Sequence, residues 1–434
     1  MKQIRWSGIL TTTLILFVAA SCGSESEISQ GDIKVIDLAA AVGGGKIVNI
    51  SEVADDIKYV ALETTDSSLI GSKAVLHLLN GRIYVKSNGL NGTDVKVFDL
   101  NGKYIFTFNK AGRGPKEYSP LSRIEIDRVT GGFNVYGLFP NEKALKEYNK
   151  DGEYIRTVKI PVIETGSLDA PKKLNHNCYI SSIGKLCRDT VKVHGVVFDS
   201  VSNILFEIPL SKTADYMPKE FAQTMMGENG PVIGDKAYNT WPPTVFIVKT
   251  EARFIFPAND SIYTLDQSLN YFPSYVINYG SFINKSYDRK EITLAKGNHI
   301  SLDPLYYIES TRFVMMNFIM RDYAHEPYDE YIQVRNRVIT VPKANCYGIY
   351  DKQTGFFNLL NQPVKGKLGL REDLKNGPPF IPGHINSDDY ASALFSAVQL
   401  IEHAEVYDVK GDLKEIVSKL KDTDNPVVAI AKFK

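Results

Sequence analysis

Short stretches of this chain alternate apolar and polar positions, then break at turn residues. Tyr104, Phe106 and Phe108 form one such series, and Ile124 and Ile126 begin another. This is the period of a strand packed on one face. Asn101-Gly102 and Asp151-Gly152 are dipeptides that tolerate the positive φ angles of tight hairpin turns. The pattern also repeats at long range. Phe98, Tyr148 and Phe198 lie 50 residues apart, as do Gly102 and Gly152, and Tyr104 and Tyr154. Each copy reads strand, tight turn, strand. Hairpins repeating every 40 to 50 residues predict a β-propeller, with one copy per blade.

One full blade fits residues 122–160, with strands at 122–127, 133–137, 144–149 and 154–160. The preceding blade starts near Lys73 and continues through 82–86, 95–100 and 103–109. Weaker copies follow at 254–256 with 261–265, and at 312–320 with 346–351 and 356–357. Residues 210–243, rich in Gly, Pro and Met, break the period and read as an insertion. Near the C-terminus Leu413, Ile416, Val417 and Leu420 share one helical face, with Asp412 and Glu415 as a capping pair. A strand at 427–433 follows Asn425-Pro426. An open ring would leave unpaired edges, so this strand is expected to close the ring on residues 57–62.

The first residues change the expected location. Lys2 and Arg5 precede an apolar run from Ile9 to Ala20, too short to span a bilayer as a folded helix. Ala19-Ala20-Ser21-Cys22 then resembles a bacterial lipobox. The expected organisation is a signal peptide at 1–21, a lipidated polar tether at 22–32 and one propeller domain at 33–434. Several acyl chains on Cys22 would hold the domain on a membrane without a spanning helix. Charge is balanced, 50 basic against 50 acidic residues, and 48 against 50 once Lys2 and Arg5 leave. A nucleic-acid binder would want a basic face, so nucleic acid is not an expected partner. Cys178 and Cys187 could pair in an oxidising compartment or remain as two thiols, and Cys346 has no evident partner.

Ala111-Gly112-Arg113-Gly114-Pro115-Lys116-Glu117-Tyr118 follows a predicted strand, with Leu62-Glu63-Thr64-Thr65 upstream. These segments resemble the six-bladed β-propeller lipoproteins of Bacteroidetes, relatives of NHL-repeat proteins, and Lys116 stands where that family usually carries a third glycine. The likeness spans nearly the whole mature chain, including Asp424-Asn425-Pro426-Val427. It implies an all-β fold, a six-bladed β-propeller of four-stranded blades with a short C-terminal helix. Spacing alone would permit seven or eight blades. The acidic run after Cys22 looks like that family's signal for display on the outer surface, which implies an outer-membrane lipoprotein.

The same loop is the leading candidate site. It lacks the glycines of a dinucleotide fingerprint and the Gly-Lys-Ser/Thr of a P-loop. It runs from an outer strand to the next inner strand, toward the channel mouth. Arg113, Lys116, Glu117 and Tyr118 are therefore candidates to meet a ligand, Arg113 with fixed donors and Tyr118 with a stacking plane. The same residues could instead shape the turn. Glu63 occupies the equivalent connection into the first blade. Trp241 could stack on a sugar or pack in a core, and His384 sits in a Gly/Pro-rich stretch that could face the channel. The seven His show no metal spacing, and nothing forms a nucleophile elbow. No catalytic residue, metal or cofactor is assigned. The expectation is a monomeric, non-enzymatic propeller binding a glycan, a peptide or an envelope partner, attached to the membrane through its lipid alone. The alternative is a propeller enzyme (glycoside hydrolase, lyase or lactonase) with its site at the channel mouth.

Overall fold

The structure is a computed structural model that describes residues 33–434, apart from 90–91, 139–142, 164–167, 184–192, 210–215, 218–236, 239–242, 257–258, 283–298 and 335–336. The signal segment, Cys22 and its tether, Cys187, Trp241 and nearly all of the expected insertion lie outside the described residues.

Six antiparallel sheets form the six blades of a propeller. From axis to rim, blade 1 is Ser72–Leu79, Arg82–Gly89, Gly92–Asp99 and Tyr104–Phe108. Blade 2 is Arg123–Ile126, Phe133–Leu138, Lys143–Tyr148 and Tyr154–Lys159. Blade 3 is Lys172–Lys173, Cys178–Ser182, Val193–Asp199 and Ile204–Pro209. Blade 4 is Thr244–Val248, Glu251–Ile255, Ser261–Leu265 and Tyr271–Ile277, and gains a fifth, parallel strand at its rim, Lys34–Ile36. Blade 5 is Ser301–Glu309, Phe313–Ile319, Asn345–Asp351 and Phe357–Leu359, interrupted by the hairpin Tyr328–Val334 and Arg337–Lys343. Blade 6 takes His384–Ile385, Tyr390–Phe395 and Val427–Phe433 from the end of the chain and Ala54–Ala61 from its beginning. The hairpin in blade 5 and the helices in blade 6 absorb the length that a uniform 50-residue spacing would have spent on further blades.

The outer hairpins turn for one local reason. In blade 1 the Asp99 carboxylate accepts from the backbone N–H of Asn101 (2.8 Å) and Lys103 (2.9 Å). Asn149, Asp199 and Asp266 do the same in blades 2, 3 and 4. Such Asx turns replace backbone pairing that the strand has left behind. The residue that must adopt positive φ is Gly102 or Gly152 in the first two turns. In the next two it is Ser202 and Leu269. Leu269 hides the fourth repeat from a glycine-based reading.

The ring closes as expected. Val427–Phe433 pairs antiparallel with Ala54–Ala61, Ile57 opposite Ala431 and Val60 opposite Val428. Asn425 locks the joint. Its side-chain amide donates to the carbonyls of Glu63 (2.8 Å) and Ser68 (2.9 Å), and its Oδ1 accepts from the Ile70 N–H (2.9 Å). The expected helix is present at Gly411–Val417, preceded by another at Ala397–Val406 that Ser396 and Gln399 cap. The Asp412–Glu415 capping pair does not form. Asp412 instead accepts from the Tyr59 N–H on the closing strand (3.1 Å) and pairs with Lys375 (2.8 Å). A longer-range backbone donor has won over the local one.

Between blades the core is aromatic and aliphatic, as where Phe108 of blade 1 stacks on Phe133 of blade 2, 3.9 Å between ring centres. Buried carboxylates also join neighbours. Glu147 of blade 2 takes Arg156 (2.6 Å), Lys173 (2.9 Å) and the Tyr179 hydroxyl (2.8 Å). Glu309 of blade 5 takes Arg253 of blade 4 (2.8 Å), Lys352 (3.1 Å) and the hydroxyls of Tyr275 (2.9 Å) and Tyr307 (2.6 Å).

Candidate ligand-binding channel

The six inner strands surround the axis and pair on one side only, so each leaves backbone groups facing the channel. Those groups need partners, and basic side chains supply several. Lys86 of blade 1 donates to the Ile124 carbonyl (3.1 Å), and Lys172 of blade 3 to the Val245 carbonyl (2.7 Å). Arg128 reaches across from blade 2 to the Ile247 carbonyl on blade 4 (3.0 Å). Its position follows from the turn that carries it. The Asp127 carboxylate accepts from the Val129 N–H (2.9 Å) and the Thr130 hydroxyl (2.6 Å) and pairs with Lys173 (3.0 Å), which fixes the bend just before Arg128.

Inside the channel lies a cavity of about 170 Å³, lined by His77, Glu125, Arg128, Lys172 and Phe246 among others. Lys172 is exposed, yet protein surrounds it, because what it faces is the channel interior. That crowding pushes the Arg128 and Lys172 cations below their ordinary values, while Glu125 nearby pulls each back up.

Two histidines close the side between blades 6 and 1. His384, on the innermost strand of blade 6, packs its ring edge-on against His77, 5.0 Å between centres. Its Nδ1 accepts from the Leu78 N–H (3.3 Å). Its Nε2 and both nitrogens of His77 are sealed from solvent without a hydrogen-bond partner among the described residues. Burial, with Arg128 adding repulsion, pushes both rings well below the usual imidazole value. Both are therefore neutral at pH 7. A buried polar atom without a partner is uncommon enough in folded proteins to call for an explanation.

A larger groove of about 370 Å³ opens on the same end of the ring, between blades 6 and 1. Lys58, Asn80, Arg128, Asp388, Tyr390 and Lys432 contribute to its walls. A small third cavity at the channel mouth includes Lys249, Glu309 and Asn386, and Arg128 again. Among the described residues Arg128 is the side chain common to all three cavities.

The loop singled out from the sequence lies at the opposite end, where the chain leaves blade 1 for blade 2. Tyr118 is buried, with 2% of its surface exposed, and its hydroxyl accepts from the Lys110 N–H (3.0 Å). Glu117 accepts from the Gly114 N–H (2.7 Å), and a Cβ on Gly112 would meet its carboxylate. Lys146 donates to the carbonyls of Pro115 (2.8 Å) and Glu117 (2.6 Å), and Tyr148 to that of Lys116 (2.7 Å). Arg113 and Lys116 are exposed, Lys116 standing 5.9 Å over the Tyr154 ring. Glu63 accepts from the Tyr104 N–H (2.7 Å) and so joins blade 6 to blade 1. The structure thus puts His384 on the innermost strand of blade 6, buried against His77 and lining none of the three cavities, and places the Arg113 loop at the opposite end of the ring. Arg128 and Lys172 carry no signal in the sequence, since a channel assembled from separated strands has no local motif.

Among the described residues no group of three His, Cys, Asp or Glu gathers at metal-binding distance, and no helix is long and apolar enough to cross a membrane. Cys178 has no disulfide partner among the described residues, any pairing with Cys187 lying outside them, and burial pushes the Cys346 thiol up to about 12.

None of the curated proteins matches this sequence. Among solved structures, one described as a "putative exported protein" of Bacteroides fragilis aligns over 93% of this chain and 99% of its own, with 19% identity and a TM-score of 0.59. A member of the DUF4221 family from Bacteroides vulgatus aligns over 88% and 97%, with 13% identity and a TM-score of 0.44. The first likeness is one of fold. Residues 33–432 match the family model of a domain of unknown function, DUF4934, and the chain belongs to that family.

Proposed function

We propose that this protein is an exported, lipid-anchored propeller of the outer membrane that binds a glycan, a peptide or an envelope partner without transforming it. The binding site is the central channel and the groove that opens from it. The observation that carries this reading is the meeting of three cavities at Arg128. A rigid ring holds these groups in place before the ligand arrives, which lowers the ordering cost of binding. The carboxylates of the channel cavity are engaged in holding structure, Asp127 by its own turn and Lys173, and Glu125 by Lys86 at 3.7 Å.

The anchor and the binding are tested separately. Cys22→Ser should release a soluble form or leave the precursor uncleaved. A mutant that is cleaved and still fractionates with membranes like wild type removes the anchor from the reading. For binding, a panel of glycans and peptides is screened by thermal shift on the full chain. A panel without a hit that depends on Arg128 removes the channel from it.

A further inference from the structure

We infer that the channel seats an anion, with Arg128 and Lys172 converging on one carboxylate or phosphate group of the ligand. This deepens the binding reading above and rests on it.

The argument is one of charge. Most cations around the axis already have carboxylates. Lys173 has Asp127 (3.0 Å) and Glu147 (2.9 Å), Lys86 has Glu125 (3.7 Å), Arg123 has Asp169 (3.3 Å) and Lys249 has Asp389 (3.5 Å). Of the three cations among the described residues that line the channel cavity, Lys173 has such partners, and Arg128 and Lys172 have none. Each has one backbone carbonyl, and among the described residues no carboxylate lies within ion-pair distance of either. A guanidinium offers five N–H donors and an ammonium three, so most of their donors remain free. Two cations in a crowded, partly dehydrated site carry a solvation cost that a counter-anion offsets.

His77 lines the same cavity as both cations. Its nitrogens are sealed from solvent, so it gives the ligand a wall and not a hydrogen bond. Size divides the ligand: the 170 Å³ channel cavity suits a charged head, and the 370 Å³ groove that shares Arg128 suits the body attached to it.

The test is calorimetric titration and thermal melting of the full chain with inorganic phosphate and with glucuronate, beside glucose as the neutral match and sodium chloride at equal ionic strength. Saturable binding of phosphate or glucuronate is expected. Arg128→Gln and Lys172→Gln, which keep a donor but lose the charge, should each weaken it at least about tenfold, as expected for loss of a charge-assisted hydrogen bond. Exposed Lys419→Gln should not. A second expectation needs no ligand: without anion, Lys172→Gln should melt at or above the wild-type temperature, because an unpaired cation has been removed. If Arg128→Gln does not fold, Lys172→Gln decides alone. Failure of both anions to bind, or binding unchanged in Lys172→Gln, overturns the anion site. A neutral glycan or peptide that binds through Arg128 while both anions fail would overturn it and leave the binding reading standing.

Discussion

Tyr118 and Arg113 belong to one loop and have opposite surroundings. Tyr118 is buried against Phe108 and Tyr148, while Arg113 projects into solvent. Tyr118→Ala removes a core aromatic and a hydroxyl that holds the Lys110 N–H, and should cost about 3–5 kcal/mol. Arg113→Ala should change stability by no more than about 0.5 kcal/mol. Denaturant melts of the two variants check both. Equal losses would mean that Arg113 also shapes the turn, and unequal losses leave it available for a ligand at that end of the ring. At the same scale His384 and His77 show how a residue type misleads. Neither has a metal-like neighbourhood among the described residues, and what sets them apart is three ring nitrogens that no described group satisfies.

Blades are held to each other by more than apolar contact, and Glu309 is the clearest case. Burial alone would raise its carboxyl, but Arg253 and Lys352, with hydrogen bonds from Arg253 and Tyr307, hold it down at about 2. A carboxyl whose folded value lies below its ordinary 4.5 stabilises the fold fully above that value. The contribution is then lost as pH falls from about 4.5 toward about 2. Glu309→Ala leaves Arg253 buried without its partner and should cost about 3–5 kcal/mol at neutral pH. It should also flatten the acid limb of the stability curve, measured by urea unfolding between pH 5 and pH 2. An unchanged acid limb would assign acid sensitivity to other carboxylates. The outer hairpins make a related point about elements. What they share is an Asp or Asn acceptor at position 99, 149, 199 or 266, and glycine is only the easiest way to meet the positive φ that follows.

The whole ring depends on its joint. Val427–Phe433 is the third strand of a sheet whose fourth comes from residues 54–61, and Asn425 ties the same region to the connection at 63–70. Deleting residues 426–434 would expose edges on both sides of the gap, so the entire ring should lose stability in one transition. Asn425→Ala would leave the Ser68 carbonyl and the Ile70 N–H without their partner, while the Glu63 carbonyl keeps the Ser68 hydroxyl, and should cost at least about 2 kcal/mol. Calorimetric melting tests both, and a truncated chain that melts like the intact one would rule out this closure. The N-terminal segment adds a second fastening. Lys34–Ile36 covers the rim of blade 4, and the backbone then bonds to Leu359 through Lys46 and to Arg371 through Ile50 before entering blade 6.

The sequence by itself determined the repeating unit, because strand alternation and Asx turns are set by neighbours a few residues away. Blades 1 and 2 could be read almost strand by strand, and the closing pair was legible because an open ring has unpaired edges wherever it is cut. The likeness carried by residues 62–65 and 111–118 supplied the number of blades, which 50-residue spacing overstates once blades 5 and 6 take up a hairpin and two helices. Tertiary structure alone decided that Asp412 serves Tyr59 rather than its own helix, and that Asn425 meets the 63–70 connection across most of the chain length. It also decided the site. Lys172, His77 and His384 come from three inner strands and Arg128 from the turn after a fourth, and each is ordinary in its local context. Their chemistry arises from being gathered around one axis, where solvent is limited and partners are few, and no local pattern records that.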